Sequence, residues 1–175
     1  MNFPAPHEYP NAPYFAEYMN FQAHEHLFEV LQNQSAEIIQ LFESLSSAQA
    51  AFSYAEAKWS LKALLGHMVD TERIVSYRVL AIARGEKIDL PGFDEKEYQL
   101  ASEYETQDLS AILAQYKATR TATTLLLQSL SQKQWDQMGQ ANGKRTSARA
   151  WAWMIAGHEK HHLNVIHARY FAHFL

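Results

Sequence analysis

Residues Trp151 to Ile166 read WAWMIAGHEKHHLNVI, and their apolar positions repeat with the period of an α-helix. Side chains three and four residues apart lie on the same face of a helix. A face that carries tryptophan and isoleucine is expected to be buried against other helices. Two histidines lie on that face as well, and the whole stripe is Trp151, Ile155, His158, His162 and Val165. The stretch therefore predicts a helix whose buried side carries ionisable groups.

Three other segments show the same helical period. They run from about Phe15 to Leu45, from Ser60 to Gly85 and from Asp108 to Leu130. Ser60 is a good N-cap for the second of these segments, and Asp108 or Ser110 can cap the third. Thr146 or Ser147 can cap the helix that contains the opening stretch, which we expect to continue to about Phe174.

Four long amphipathic helices, with no convincing strand and no internal repeat, predict an all-α fold. We expect a four-helix bundle with long inter-helix connections. The second connection, residues 85–107, is too long for a tight turn and could allow one helix to cross over the bundle. Residues 1–14, which are rich in proline, are predicted to form an irregular surface arm, and residues 15–175 a single bundle domain.

Composition excludes several classes of function. The chain has 175 residues, no cysteine and a formal net charge of −4. Without cysteine, only histidine, aspartate and glutamate remain as plausible metal ligands. The negative charge predicts no nucleic-acid partner. The first residues lack the basic and apolar regions of a signal peptide. The sequence also contains no run of about 18 apolar residues, which a membrane-spanning helix would need. We therefore expect a cytoplasmic protein without a membrane partner.

The two histidines on the buried stripe are the strongest chemical signal. His158 and His162 are separated by about 40° around the helix and by one turn along it, so both rings can point at one metal ion. A lone histidine on an apolar stripe is more often a core residue with satisfied hydrogen bonds. Two buried imidazoles need several partners, however, and this favours a metal without excluding the core interpretation.

His158-Glu159-Lys160-His161-His162 also matches H-E-x-x-H, the helical motif of zinc peptidases. The extended form of that motif requires glycine and histidine where this chain has Val165 and Ala168. The third ligand must therefore come from elsewhere, and His67 is the only histidine of the second predicted helix. Three histidines from two helices leave open positions on an ion, as catalytic sites do.

The other histidines are expected to be bystanders. His161 lies at the edge of the buried stripe, and His167 lies on the outer face of the helix. His24 and His26 flank Glu25 and cannot share one helix face, so we expect both to be solvated. His7 and His173 lie near the ends of the chain and carry no signal.

Four charged residues near these histidines have two readings each. Glu159 points about 100° away from His158, so we expect a solvated or outer-shell carboxylate and not a peptidase base. Asp70 could orient an imidazole or act as a base, or it could pair with Arg73 or Lys62. Arg78 and Arg120 could bind an anionic substrate group, or they could be buried partners of carboxylates such as Glu72.

These motifs together resemble the DinB-like (YfiT-like) family of metalloenzymes. The resemblance rests on Trp59-Ser60 followed by His67, on DTERIVSYRVLAIARGEKIDLPGFDE (Asp70 to Glu95) and on the opening stretch. It implies a four-helix bundle and a divalent metal ion, zinc or nickel. The three ligands of the family match His67, His158 and His162. The resemblance also implies a homodimer.

Members of the family include low-molecular-weight thiol S-transferases and metal-dependent hydrolases. The resemblance therefore implies a metal-dependent enzyme, transferase or hydrolase, with a small-molecule substrate that could be a low-molecular-weight thiol. A non-enzymatic metal-binding or dimeric interaction module of the same fold is the alternative, and a fourth protein ligand such as Asp70 would favour it. A third possibility is a family site that persists without metal.

Overall fold

Four long helices form the bundle. The structure, a computed structural model, describes residues 2–20 and 26–174 apart from the side chain of Tyr14. The bundle helices are α2 (Leu27–Glu43), α4 (Leu61–Ala83), α6 (Leu109–Gln128) and α8 (Ala148–Val165). Ser60 and Ser147 cap α4 and α8, because each side chain accepts a hydrogen bond from the third residue of its helix. The predicted four-helix bundle is confirmed.

Shorter elements connect these helices. They are α1 (Pro13–Asn20), α3 (Ser47–Ala50), α5 (Glu95–Ala101) and α7 (Gln132–Trp135), with 3₁₀ turns at Pro6–Glu8 and Phe171–His173. The single first helix predicted from Phe15 is wrong, because His26 is extended and α2 begins after it. The last helix also ends earlier than predicted, since a π-helical turn, Ile166–Tyr170, follows α8. None of the described helices has the length and apolarity that a membrane span requires.

The order of the helices around the bundle differs from their order in the chain. Helix α4 packs on α6 and α8, and α2 packs on the same two helices. Consecutive helices α2 and α4 therefore lie on a diagonal, as do α6 and α8. The long second connection joins the neighbours α4 and α6, so the crossings lie in the first and third connections. This arrangement makes α4 and α8 neighbours along the face that carries the three predicted histidines.

A small three-stranded sheet lies beside the bundle. Strand β1 (Asp89–Leu90) pairs in parallel with β2 (Met138–Ala141), and β2 pairs with β3 (Lys144–Ser147) as a hairpin. Asn142 and Gly143 form the hairpin turn, and both have positive φ, as a type I′ turn requires. The expectation of no strand is therefore wrong. The strands are short and Thr146 is their one β-branched residue, so the sequence shows no alternation to detect.

A layer of buried polar groups divides the core. One apolar cluster lies on the Trp151 side and another on the Tyr170 side. Between them, Arg120 of α6 donates to both carboxylate oxygens of Glu72 on α4 and forms an ion pair with Glu159 on α8. Arg120 also donates to the Leu31 carbonyl of α2 at 3.0 Å. This polar layer therefore ties all four bundle helices to one guanidinium.

The N-terminal arm is packed against α8. The carboxylate of Glu8 is buried and lies 2.6 Å from the Arg149 guanidinium, and Trp153 donates its indole N–H to the Asn2 carbonyl at 3.0 Å. The arm is thus more closely held than a surface segment. Its composition alone does not reveal this, because both partners lie more than 140 residues away in the sequence.

Candidate metal centre

The three predicted ligands meet in the structure. His67 comes from α4, and His158 and His162 lie one turn apart on α8. The Nε2 atom of His158 lies 3.1 Å from Nε2 of His67 and 3.0 Å from Nε2 of His162. A tetrahedral ion with bonds of about 2.0–2.1 Å to nitrogen places its ligands about 3.3 Å apart. The spacing of the three nitrogens therefore fits one metal ion.

Hydrogen bonding alone satisfies this arrangement poorly. A neutral imidazole has one N–H donor and one acceptor lone pair. Nε2 of His158 faces two other Nε2 atoms, so it can pair well with only one of them. Nδ1 of His162 is buried without a hydrogen-bond partner among the described residues. Three nitrogens directed at one point thus fit a cation better than a hydrogen-bonded core.

Burial keeps the three rings neutral. Their exposed fractions are 5% for His67 and 9% for His158 and His162. Burial, with a smaller contribution from His161, lowers the pKa of His67 to about 4. Burial and then the neighbouring histidines lower the pKa of His158 and of His162 well below the usual value. Neutral imidazole is the form that binds metal, so the fold holds these rings ready for an ion at neutral pH.

The metal-free protein is expected to lose stability in mild acid. Between pH 6.5 and about 4 the unfolded chain protonates His67 and the folded chain does not. As the pH decreases across this window, the free energy of unfolding therefore decreases by about 1.4 kcal/mol per pH unit for each such histidine. Urea unfolding of chelator-treated protein measures this slope. His67→Gln should reduce this slope, and equal slopes in the wild type and this variant would contradict the assignment.

Aromatic rings hold the centre from two sides. The ring of Trp59, just before α4, lies 4.8 Å from the His67 ring between centroids. From α1, the ring of Tyr18 makes an edge contact with His158 at 5.8 Å. Helix α1 approaches α8 closely because residue 157 is glycine: a Cβ there would lie 2.4 Å from the Tyr18 carbonyl oxygen.

Gly157→Ala is expected to push α1 away from the metal centre. The added methyl meets backbone atoms, which cannot rotate aside, so we expect a loss of about 1–3 kcal/mol in stability. Chemical denaturation gives the magnitude. Asn164→Ala is the matched control, because Asn164 is exposed on the same helix; its effect should stay within about 0.5 kcal/mol. Equal stability of the glycine variant and wild type would show that this contact is loose.

The remaining histidines stand apart from the centre. His161 pairs with Glu17 at 3.2 Å, and His167 pairs with Glu37 at 2.9 Å on the outside of the helix. His7, His26 and His173 are exposed, and His24 lies outside the described residues. Within the described chain, the metal-ligating side chains that come within 4.8 Å of one another as a group of three or more are His67, His158 and His162.

Glu159 is not solvated, and that part of the expectation is wrong. Only 3% of the residue is exposed, and it accepts a hydrogen bond from the Tyr116 hydroxyl at 2.7 Å besides its ion pair with Arg120. Burial and the charge of Glu72 raise the pKa of Glu159, while Arg120 opposes the shift. The carboxylate belongs to the polar layer, about 100° around α8 from His158 and about 60° from His162. Helical spacing in the sequence indicates where the Glu159 side chain points, but it does not indicate that Arg120 is its partner.

The structure gives Asp70, Arg120 and Arg78 three different environments. Asp70 pairs with Arg73 at 3.4 Å and interacts with Tyr104, so its helix-surface reading is supported. Arg120 is a buried partner of carboxylates in the polar layer. Arg78 instead lines a cavity that reaches the histidines.

Two cavities reach the candidate metal centre, each through one of its histidines. The first, of about 540 Å³, is lined by His158 together with Tyr18, Arg78 and Trp151; we call it the His158 cavity. The second, of about 820 Å³, is lined by His162 together with Trp59 and Tyr170, and we call it the His162 cavity. Glu95 and Lys96, at the start of α5, line both. The sequence did not point to Tyr18 or Lys96, because neither lies on a helical stripe with the ligands.

Comparisons with known proteins agree with this architecture. The structure is similar to YfiT from Bacillus subtilis, described as a probable metal-dependent hydrolase with an unusual four-helix bundle topology. That likeness has a TM-score of 0.71 and 20% identity, over 78% of this chain and 79% of YfiT. The structure of this chain is also similar to that of a mycothiol-dependent maleylpyruvate isomerase. That likeness has a TM-score of 0.65 and 15% identity, over 79% of this chain and 59% of the isomerase.

Both structural likenesses show the fold, since the identities are low. No curated protein sequence matches the chain significantly. The sequence model of the DinB superfamily, however, matches residues 31–166. This range includes all three histidines and every bundle helix, apart from the first residues of α2. A match over that much of the chain shows the family, and the protein belongs to the DinB superfamily.

Proposed function

We propose that the protein is a metal-dependent enzyme in which His67, His158 and His162 hold one divalent ion, zinc or nickel. The observation that carries this proposal is the convergence of three buried, neutral rings on one point. The described relatives of the fold add support, since one is a probable metal-dependent hydrolase and another depends on mycothiol.

The residues around the ligands suit a reaction centre. An ion held by three neutral histidines keeps its positive charge and an open position, which lowers the pKa of a water or thiol that binds there. Trp59 and Tyr18 pack on His67 and His158 and limit how the rings can turn. The apolar side chains around the rings reduce access of bulk water, which strengthens electrostatic interactions within the site.

Transfer between two molecules is the reaction class we favour. The His158 and His162 cavities are lined by different ligand histidines, and each is large enough for a small molecule. A transferase needs room for a donor and an acceptor at one centre, whereas a hydrolase needs one organic substrate and a water. A low-molecular-weight thiol as donor agrees with the mycothiol dependence of the similar isomerase. Hydrolysis is the second candidate and agrees with the description of YfiT.

A non-enzymatic metal-binding module is the alternative from another class. It would be favoured by a fourth protein ligand that closes the ion. Asp70 is not part of the group of side chains that converge within 4.8 Å in the described chain, and it contacts Arg73 instead. The histidine set therefore leaves a position for a substrate, which favours the enzyme.

Elemental analysis of protein purified without a histidine tag tests the metal. We expect about one zinc or nickel ion per chain, directly or after reconstitution. A chain that takes up no stoichiometric transition metal under either condition would overturn the proposal.

Assays of the metal-loaded protein test the reaction class. For transfer, 2-mercaptoethanol or cysteine is paired with 1-chloro-2,4-dinitrobenzene; for hydrolysis, 4-nitrophenyl acetate is used. We expect thiol conjugation above the uncatalysed rate, and its loss on removal of the metal with a chelator. Ester cleavage without thiol conjugation would favour the hydrolase instead.

The homodimer remains a prediction of the family resemblance. Sedimentation equilibrium of the purified protein distinguishes a dimer from the monomer mass of 20.1 kDa.

A further inference from the structure

Tyr170 is a buried tyrosine near the metal centre that is not one of the three ligands. Only 2% of it is exposed, and its hydroxyl donates to the Trp59 carbonyl oxygen at 2.8 Å. Burial, and then the neighbouring Tyr54 and Glu105, raise the pKa of this hydroxyl, so it stays protonated and donates at neutral pH. Tyr170 and Trp59 both line the His162 cavity. The bond therefore joins the segment after α8 to the segment before α4, beside the ligands.

The π-helical turn after α8 brings Tyr170 to this position. Tyr170 follows His162 by eight residues, and an uninterrupted α-helix would place it about 80° away around the axis. Hydrogen bonds in the turn Ile166–Tyr170 span five residues instead of four, which rotates its residues back toward the face of His162. His162 and Tyr170 accordingly line the same cavity. Turns of this kind are frequent at functional sites, and this one directs a hydroxyl at Trp59.

The segment that carries Trp59 has little regular structure of its own. Residues 52–59 contain turns and bends but no helix or strand. Ala57 in this segment has a φ of +57°, which is a strained conformation for a residue with a Cβ. Such a conformation persists when surrounding contacts hold it. One contact is the bond from the Leu61 N–H to the Phe52 carbonyl oxygen at 3.2 Å, and the Tyr170 hydroxyl supplies another from 111 residues away.

Trp59 in turn restrains the ring of His67. The two ring centroids lie 4.8 Å apart, and the ring planes are tilted by 45°. His158 and His162 are placed relative to each other by one helix, whereas His67 comes from α4 and must be aligned with them separately. An imidazole can turn about its side-chain bonds unless a neighbour prevents it. The position of the Trp59 ring therefore affects the direction of the His67 Nε2 atom.

We infer that Tyr170 is a positioning residue of the metal centre: its hydroxyl fixes Trp59, and Trp59 fixes the direction in which His67 meets the ion. The inference rests on the proposed function in one respect, since it takes His67 to be a metal ligand. Loss of the hydroxyl should loosen His67 and leave the pair on α8 in place. Because Tyr170 holds the backbone of Trp59 while the indole ring holds His67, the two links can be broken one at a time.

Tyr170→Phe removes the hydroxyl and keeps the ring. Tyr54→Phe is the matched control, because the Tyr54 ring lies 4.8 Å from that of Tyr170 and lines the same cavity. Zinc affinity is measured by competition with a chromophoric chelator. The visible absorption of the Co²⁺-loaded protein reports the geometry of the ligands around the ion, which a purely structural role of Tyr170 would not change.

We expect Tyr170→Phe to weaken zinc binding about 3–10-fold, as for loss of one hydrogen bond between neutral groups. This is less than the roughly 10–100-fold that follows loss of a partner bonded directly to a ligand. The Co²⁺ bands should shift and weaken as His67 loses its fixed direction. Tyr54→Phe should keep the spectrum and stay within about twofold in affinity. Wild-type affinity and spectrum in Tyr170→Phe would overturn the inference.

A Trp59→Leu background separates positioning from general stability. This variant lacks the ring against His67 but keeps the backbone carbonyl that Tyr170 holds. In this background Tyr170→Phe should no longer change zinc affinity or the Co²⁺ spectrum, although it should still lower the midpoint of urea unfolding. An equal loss of affinity with and without the Trp59 ring would overturn the inference, because Tyr170 would then act on the fold as a whole.

A measurement on the metal-free chain distinguishes failure of the inference from failure of the proposed function. We expect NMR to detect a nuclear Overhauser effect between the ring protons of Trp59 and His67, weakened in Tyr170→Phe and unchanged in Tyr54→Phe. A chain that takes up no metal yet shows this dependence would overturn the proposed function and support the positioning of His67 by Tyr170. A chain that binds one ion, with no effect of Tyr170→Phe on the ring contact or on affinity, would overturn the inference alone.

Discussion

His67→Ala is expected to abolish stoichiometric binding of zinc or nickel. Of the three converging nitrogens, His67 on α4 provides one, and α8 provides the other two. Loss of an outer hydrogen-bond partner of a metal ligand typically costs about 10–100-fold in affinity, so loss of a ligand itself should cost at least about a hundredfold. Competition with a chromophoric chelator, beside elemental analysis, measures the change. His158→Ala and His162→Ala should have effects of the same size.

His161→Ala and His167→Ala are the matched controls. Both residues lie on the same helical segment as two of the ligands, but their rings pair with Glu17 and Glu37 at the surface. We expect wild-type metal content in both. If His161→Ala lost metal as completely as His162→Ala, the ion would be held by a different set of rings. Circular dichroism of each variant without metal separates a lost ligand from a lost fold.

Arg120→Met is expected to be the most destabilising substitution in the bundle interior. The variant keeps most of the side-chain volume but leaves the carboxylates of Glu72 and Glu159 buried beside each other without a cation. Breaking a buried ion pair in this way typically costs about 3–5 kcal/mol. The carbonyl of Leu31 also loses its donor. Urea unfolding measures the loss, and the remaining stability decides whether the variant can be purified.

A second substitution shows whether unpaired charge is the cause. Adding Glu159→Gln to Arg120→Met removes one of the two stranded charges, so the double variant should recover part of the loss. Arg73→Met controls for loss of a surface ion pair and should cost no more than about 1 kcal/mol. A double variant less stable than Arg120→Met would show that packing, and not charge, dominates in this layer.

The bundle and the convergence of His158 with His162 could be predicted because both follow from local helical periodicity. Helical spacing on the last helix brings His158 and His162 together, and Ser60 and Ser147 mark helix starts by their capping chemistry. The inclusion of His67 relied on its being the single histidine of its helix and on the family resemblance. The structure brings all three together.

Features that depend on distant partners could not be predicted. The direction of Glu159 follows from helix geometry, but its burial depends on Arg120, which lies 39 residues earlier in the chain. The strands escaped detection because a two-residue strand and a four-residue hairpin arm contain too few residues to show a period. The diagonal order of the helices likewise depends on which faces meet, and amphipathicity states only that each helix has a buried face.

The tightly packed N-terminal segment has a practical consequence for anyone shortening this protein. The superfamily match begins at residue 31, which would suggest discarding everything before it. That cut would delete one of the two acidic partners of Arg149 and the aromatic contacts of Trp151 and Trp153, since Glu8, Phe15 and Phe3 supply them. It would also remove Tyr18, one wall of the His158 cavity. The family match marks where sequences are shared, whereas the residues that pack on the bundle core begin well upstream of it.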